Sequence, residues 1–126
     1  MVMAKEFLTR DYTLVSGGTD THVILIDLTN KGITGKAAEK KLEIAGITVN
    51  KNMIPFDEKS PFITSGIRIG TPAITTRGMQ KDDMKKIVSL IDMVIKNTND
   101  DHKLLSVKNE VNELCKLFPL YPELRD

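Results

Sequence analysis

The chain has a single cysteine, Cys115, and no tryptophan. One cysteine cannot close an internal disulfide, which suits a reducing compartment and removes the disulfide-scaffold class. Two Tyr and four Phe leave few rings on which nucleic-acid bases could stack. An excess of one charge is missing as well, since 18 basic and 17 acidic residues leave +1. Nucleic-acid and membrane-surface proteins normally carry a basic excess, so neither partner is expected. No apolar run approaches the ~20 residues of a membrane-crossing helix. Lys5, Glu6 and Arg10 interrupt any signal-peptide core at the amino terminus. His22 has no second histidine or cysteine at metal-ligand spacing, so no metal is expected. Gly17-Gly18-Thr19-Asp20 matches neither glycine-rich phosphate-binding pattern, and no helix follows it.

What is present fits one domain spanning residues 1–126, with 40% hydrophobic residues for a modest core. The expected compartment is the cytoplasm. Residues 2–10 form a short helical pattern with Met3, Phe7 and Leu8 apolar. Residues 12–15 read as a strand. Residues 22–28 are the best strand, with His22, Ile24, Ile26 and Leu28 on one face and Val23, Leu25 and Asp27 on the other. Thr34 opens a helix as N-cap and Gly46 closes it. Ala38, Leu42 and Ala45 form its buried stripe. Two more helices follow at 80–97 and 101–118. The first carries Met84, Ile87, Val88, Ile91, Val94 and Ile95 at helical spacing, and the second Leu104, Val107, Val111, Leu114 and Phe118. Cys115 reads as a small buried hydrophobe beside that stripe. The fold class is α+β: a two-layer sandwich in which helices cover a small, mainly antiparallel sheet.

The chain is organised around residues 47–76. Short β-type runs lie at 47–50 and 64–71, joined by a loop punctuated by Pro55 and Pro61. In the second run Ser65, Ile67 and Ile69 point one way, and Gly66, Arg68 and Gly70 the other. Arg68 is thus flanked on its own strand by residues without side chains. The plain reading is a surface arginine paired with a nearby acid. The glycines support another. They are poor strand formers, and a guanidinium fork between them could receive a planar carboxylate through two parallel hydrogen bonds.

This stretch resembles the C-terminal region of serine hydroxymethyltransferases. The resemblance rests on Thr48-Val49-Asn50-Lys51-Asn52, Pro55, Lys59-Ser60-Pro61-Phe62 and Thr64-Ser65-Gly66-Ile67-Arg68-Ile69-Gly70-Thr71-Pro72-Ala73. Ser16-Gly17-Gly18-Thr19-Asp20-Thr21-His22 and the run from Leu28 to Gly35 also fit. It extends from about Tyr12 to the last helix. It implies the small C-terminal domain of a fold-type I pyridoxal-phosphate enzyme, without the large domain that holds the covalent lysine. The first helix is then expected to pack on structure outside this chain.

The resemblance also implies roles. Arg68 matches the arginine that binds the substrate carboxylate. Asn52 matches an asparagine contacting the pterin of tetrahydrofolate, and Ser60, Pro61 and Phe62 match a loop lining the same site. On the plain readings Asn52 caps a turn and Phe62 is core. No catalytic, cofactor-binding or metal residue is expected in the chain itself. The implied reaction interconverts serine and glycine, with pyridoxal phosphate as cofactor and tetrahydrofolate as acceptor of the one-carbon unit. The implied partners are the absent large domain and, for the whole enzyme, a homodimer or homotetramer. Two alternatives stand beside it: a stand-alone module binding an amino acid or folate, and a structural piece completing a partner chain.

Overall fold

The computed structural model describes residues 2–15, 23–70 and 81–117. The elements in order are α1 (Val2–Thr9), β1 (Thr13–Leu14), β2 (Val23–Asp27), a 3₁₀ turn (Thr29–Lys31), α2 (Gly35–Ile44), β3 (Asn50–Asn52), β4 (Gly66–Gly70), α3 (Lys81–Lys96) and α4 (Asp101–Leu117). The strands form one antiparallel sheet in the order β1-β2-β4-β3. The fold is the expected α+β arrangement, a small sheet covered by helices.

Alternation along the strands divides the sheet into two faces. Ile24 pairs with Ile69 and Ile26 with Ile67, and all four are buried. They join Ala38 and Leu42 of α2, six apolar residues of α3, and Leu104, Val107, Val111 and Leu114 of α4 in one core. The opposite parity pairs Leu25 with Arg68 and Asp27 with Gly66. Those residues form the second face.

Helix α2 is bounded as its sequence suggests. Thr34 is extended, and its hydroxyl accepts the Ala37 N–H at 3.1 Å. Gly46 follows the helix at φ 86°. The Ile47 N–H then donates to the Leu42 carbonyl and the Gly46 N–H to that of Glu43. This is a Schellman cap, and buried Leu42 and Ile47 supply its apolar contact. The cap also explains why β3 begins later than the residue pattern suggests. Ile47 and Val49 are buried as the chain leaves the helix, and ladder partners start only where Asn50 meets Arg68.

Helix α1 refines a second expectation. It packs on this chain as well, because Met3 and Phe7 are buried in the chain's own core while Leu8 stays exposed. The Phe7 ring meets Tyr12 edge-on, with centroids 5.4 Å apart. A polar knot then ties α1 and β1 to α3. Buried Asp92 accepts the Tyr12 hydroxyl at 2.6 Å and lies 3.8 Å from Arg10 and 3.2 Å from Lys96. Burial, reinforced by the Asp92 hydrogen bond, pushes the Tyr12 phenol far above its usual pKa. Lys31 sits over the same ring, 4.3 Å from its centroid.

Candidate functional site

The second sheet face carries the site. Arg68 lies at its centre, opposite Leu25 of β2 and Asn50 of β3. It is exposed. Among the described residues no carboxylate or carbonyl holds its guanidinium. Asp27, an acid of the same face, is engaged elsewhere: its Oδ1 accepts the Thr29 N–H at 2.9 Å and the Thr29 hydroxyl at 2.6 Å. Among the described residues the nearby-acid reading of Arg68 finds no partner. An exposed guanidinium with no partner among the described residues, carried on a backbone that a ladder fixes on each side, can receive a planar anion through two hydrogen bonds.

The glycine beside it has a different reason from the one the alternation suggests. A Cβ on Gly66 would come within 2.7 Å of the Ile26 carbonyl oxygen and 2.9 Å of Ile54 Cγ2. Ile54 thus occupies the space over Gly66. The loop between β3 and β4 folds back onto Arg68's face rather than leaving it open.

That loop is organised by Asp57. Its Oδ1 accepts the Lys59 N–H at 2.9 Å and the Ser65 hydroxyl at 2.7 Å. Its Oδ2 accepts the Ser65 N–H at 2.8 Å and the Ile54 N–H at 3.3 Å. Partial burial raises the Asp57 pKa, but these hydrogen bonds outweigh it and hold the carboxyl at about 2. Lys59 Nζ adds a bond to Ser65 Oγ at 3.1 Å. The far end of the loop is docked on α2. The Gly35 and Lys36 N–H groups donate to the Thr64 and Ile63 carbonyls at 3.0 and 2.9 Å, using donors that a helix start leaves free. Gly35 is required there, because a side chain would run into Thr64 Oγ1 and the Gly66 carbonyl. Thr64 itself is buried at φ 58°, a left-handed conformation that a β-branched residue adopts only when its surroundings impose it. Its hydroxyl donates to the Gly66 carbonyl at 3.0 Å.

The residues singled out from sequence fall as follows. Asn52 pairs with Gly66, so it shares Arg68's face one step along the ladder. Its Nδ2 donates to the Met53 carbonyl at 2.8 Å. Ser60, Pro61 and Phe62 are all exposed on the loop. Phe62, 80% exposed, is not core. The Ser60 carbonyl accepts the Ile63 and Thr64 N–H groups, which ties this segment to the same anchor. His22 lies outside the described residues, as does the Cys115 side chain. Sequence reasoning passed over Asp57, Ile54 and Thr64. Only Asp57 left a readable trace, as an Asx-type residue two positions before a backbone donor.

Among the described residues no group of three or more His, Cys, Asp or Glu side chains could hold a metal ion. None of the described lysines is buried. A lysine that bonds a carbonyl cofactor is typically activated by desolvation, so the described lysines do not fit covalent attachment of one. A separate cleft of about 570 Å³ lies between the 3₁₀ turn and the end of α3. It is lined by Lys31, Ile33, Thr34, Ala37, Ile95 and Lys96 and includes neither Arg68 nor Asn52. No helix of the described residues is long and apolar enough to cross a membrane.

Comparison with known protein families matches residues 1–91 to serine hydroxymethyltransferase. The match takes in α1, the whole sheet, the Asp57 loop and the first part of α3, and residues 92–126 fall outside it. It spans most of the 126 residues, so the chain belongs to the serine hydroxymethyltransferase family.

Proposed function

We propose that residues 1–126 are the C-terminal domain of a glycine hydroxymethyltransferase, a cytoplasmic enzyme that moves a one-carbon unit between serine and glycine. The observation that carries the reading is the exposed Arg68 guanidinium, unpaired among the described residues and borne on a backbone fixed in mid-sheet. Its role is to hold the carboxylate of serine or glycine so that the rest of the amino acid is presented in one orientation. Asn52, one ladder step away, offers the edge of a pterin both a donor and an acceptor. Ser60, Pro61 and Phe62 line the same tetrahydrofolate site.

Pyridoxal phosphate, when bound, serves as the electron sink of this chemistry. The described lysines do not fit it, so its covalent lysine is assigned to a large domain outside this chain. Alone, the chain is then inactive. It acts with that domain, within a homodimer or homotetramer. Exposed Met53, Phe56, Phe62 and Ile63, all on one loop, favour docking against a partner over a free-standing binding module.

The first test is to incubate the chain with pyridoxal phosphate and glycine, reduce with borohydride, and map any modified lysine. No specific adduct is expected. Stoichiometric labelling of one lysine would place a cofactor site in this chain and end the domain reading. The second test adds the cofactor-binding domain of a family member. Arg68→Ala should then abolish productive serine binding, and surviving turnover would remove the role given to Arg68.

A further inference from the structure

We infer that Asp57 is the positioning residue of the tetrahydrofolate side of the site, fixing the loop that carries Ser60–Phe62 against the face that carries Asn52 and Arg68. The inference rests on the domain reading above and adds a residue to it.

The loop has little apolar cover. Residues 58–63 are all exposed, and Phe56 has no cover at all. Apolar burial therefore contributes little to the shape of this segment. Its shape comes from polar contacts, and most of those made by side chains converge on Asp57. The Asp57 carboxylate gathers donors from Ile54, Lys59 and Ser65. These three points bracket the segment from the end of β3 to the start of β4. The Ile54 contact holds the loop's first limb near Gly66, beside Asn52. The Lys59 and Ser65 contacts fix the second limb, on which Ser60–Phe62 are presented. The carboxylate itself has little left for a ligand, because both oxygens already accept two hydrogen bonds. Asp57 thus acts through its neighbours.

Arg68 is held differently. Strands on both sides of β4 fix it in register. Loss of Asp57 should therefore disturb the folate side and spare the carboxylate side. A purely structural residue would not produce that split.

The experiment uses the chain in complex with the cofactor-binding domain of a family member, and compares Asp57→Ala and Asp57→Glu with the unsubstituted chain. Asp57→Ala should raise KM for tetrahydrofolate about tenfold, as displacement of positioning groups does, while KM for serine and kcat stay within about twofold. Asp57→Glu keeps the acceptor charge and should recover part of the loss. In the chain alone, amide hydrogen exchange at Ile54, Lys59 and Ser65 should accelerate in Asp57→Ala. Faster exchange with an unchanged tetrahydrofolate KM would overturn the inference and leave the domain reading standing. Equal increases in both KM values would also overturn it. An unsubstituted complex that fails to turn over serine would bring down both, through the domain reading itself.

Discussion

The two faces of one four-stranded sheet are built on opposite principles. The covered face is apolar and redundant. Ile24, Ile26, Ile67 and Ile69 share one core with residues of four helices, and the loss of any one leaves many contacts in place. The other face is mixed and singular. Beside Leu25 and Ile54 it presents one arginine, two asparagines and a loop held by one carboxylate and by the start of α2. Stability is spread over many residues on the first face, and the candidate chemistry is concentrated in a few on the second. The period of two along a strand is what lets adjacent residues serve these different ends.

That contrast can be broken by substitution. The largest effect should come from the covered side. Phe7→Ala removes a fully buried ring from α1 and should cost about 3–5 kcal/mol in a denaturant titration. A cost below about 1 kcal/mol would mean that α1 does not belong to this core, as the sequence alone suggested. Next comes the polar knot. Asp92→Ala leaves Tyr12, Arg10 and Lys96 facing an empty acceptor and should cost about 3 kcal/mol. If it were neutral, the knot would be incidental to the packing of α3.

The loop should respond more locally. The Asp57 carboxyl is held at about 2 against an ordinary 3.8. A depressed carboxyl contributes its full stabilisation above its unfolded value and loses it as pH falls through the folded one. Protection of the Ser65 amide should therefore persist at pH 5 and decline between about pH 4 and pH 2. Loss of protection already near neutrality would show that the Asp57 bonds do not hold the loop. The smallest effect on stability belongs to Arg68→Ala, at less than about 0.5 kcal/mol. A larger cost would make Arg68 structural and blur the difference between the faces.

Much of the covered side is legible in the sequence. Ala38, Leu42 and Ala45, the α3 stripe and the Thr34 and Gly46 caps follow from helical spacing and from two residues with strong conformational preferences. The exposed side was legible in part. Alternation put Arg68 on the correct face, but it could not show that Ile54 fills the space over Gly66, because that contact joins residues twelve positions apart across a turn. Asp92 was hidden by its residue type. A charged residue within an apolar helix pattern reads as solvated until its partners, here Tyr12 and Arg10, are brought in from 80 and 82 positions away. β3 was displaced for a related reason: asparagine and lysine are disfavoured in strands, and only the partner strand Gly66–Gly70 selects them.

The docking of the Thr64 and Ile63 carbonyls on the start of α2 has a consequence for how the chain tolerates insertion and deletion. The segment from Asp57 to Thr64 is fastened at one end by a carboxylate and at the other by a helix. Its length is therefore fixed, and a single added residue would detach one end. The turn at Phe56 precedes that span but is closed by the same carboxylate, since the Ile54 N–H donates to Asp57 and the Asp57 N–H to the Ile54 carbonyl. An insertion there should loosen the anchor as well, so length is constrained from Ile54 to Thr64.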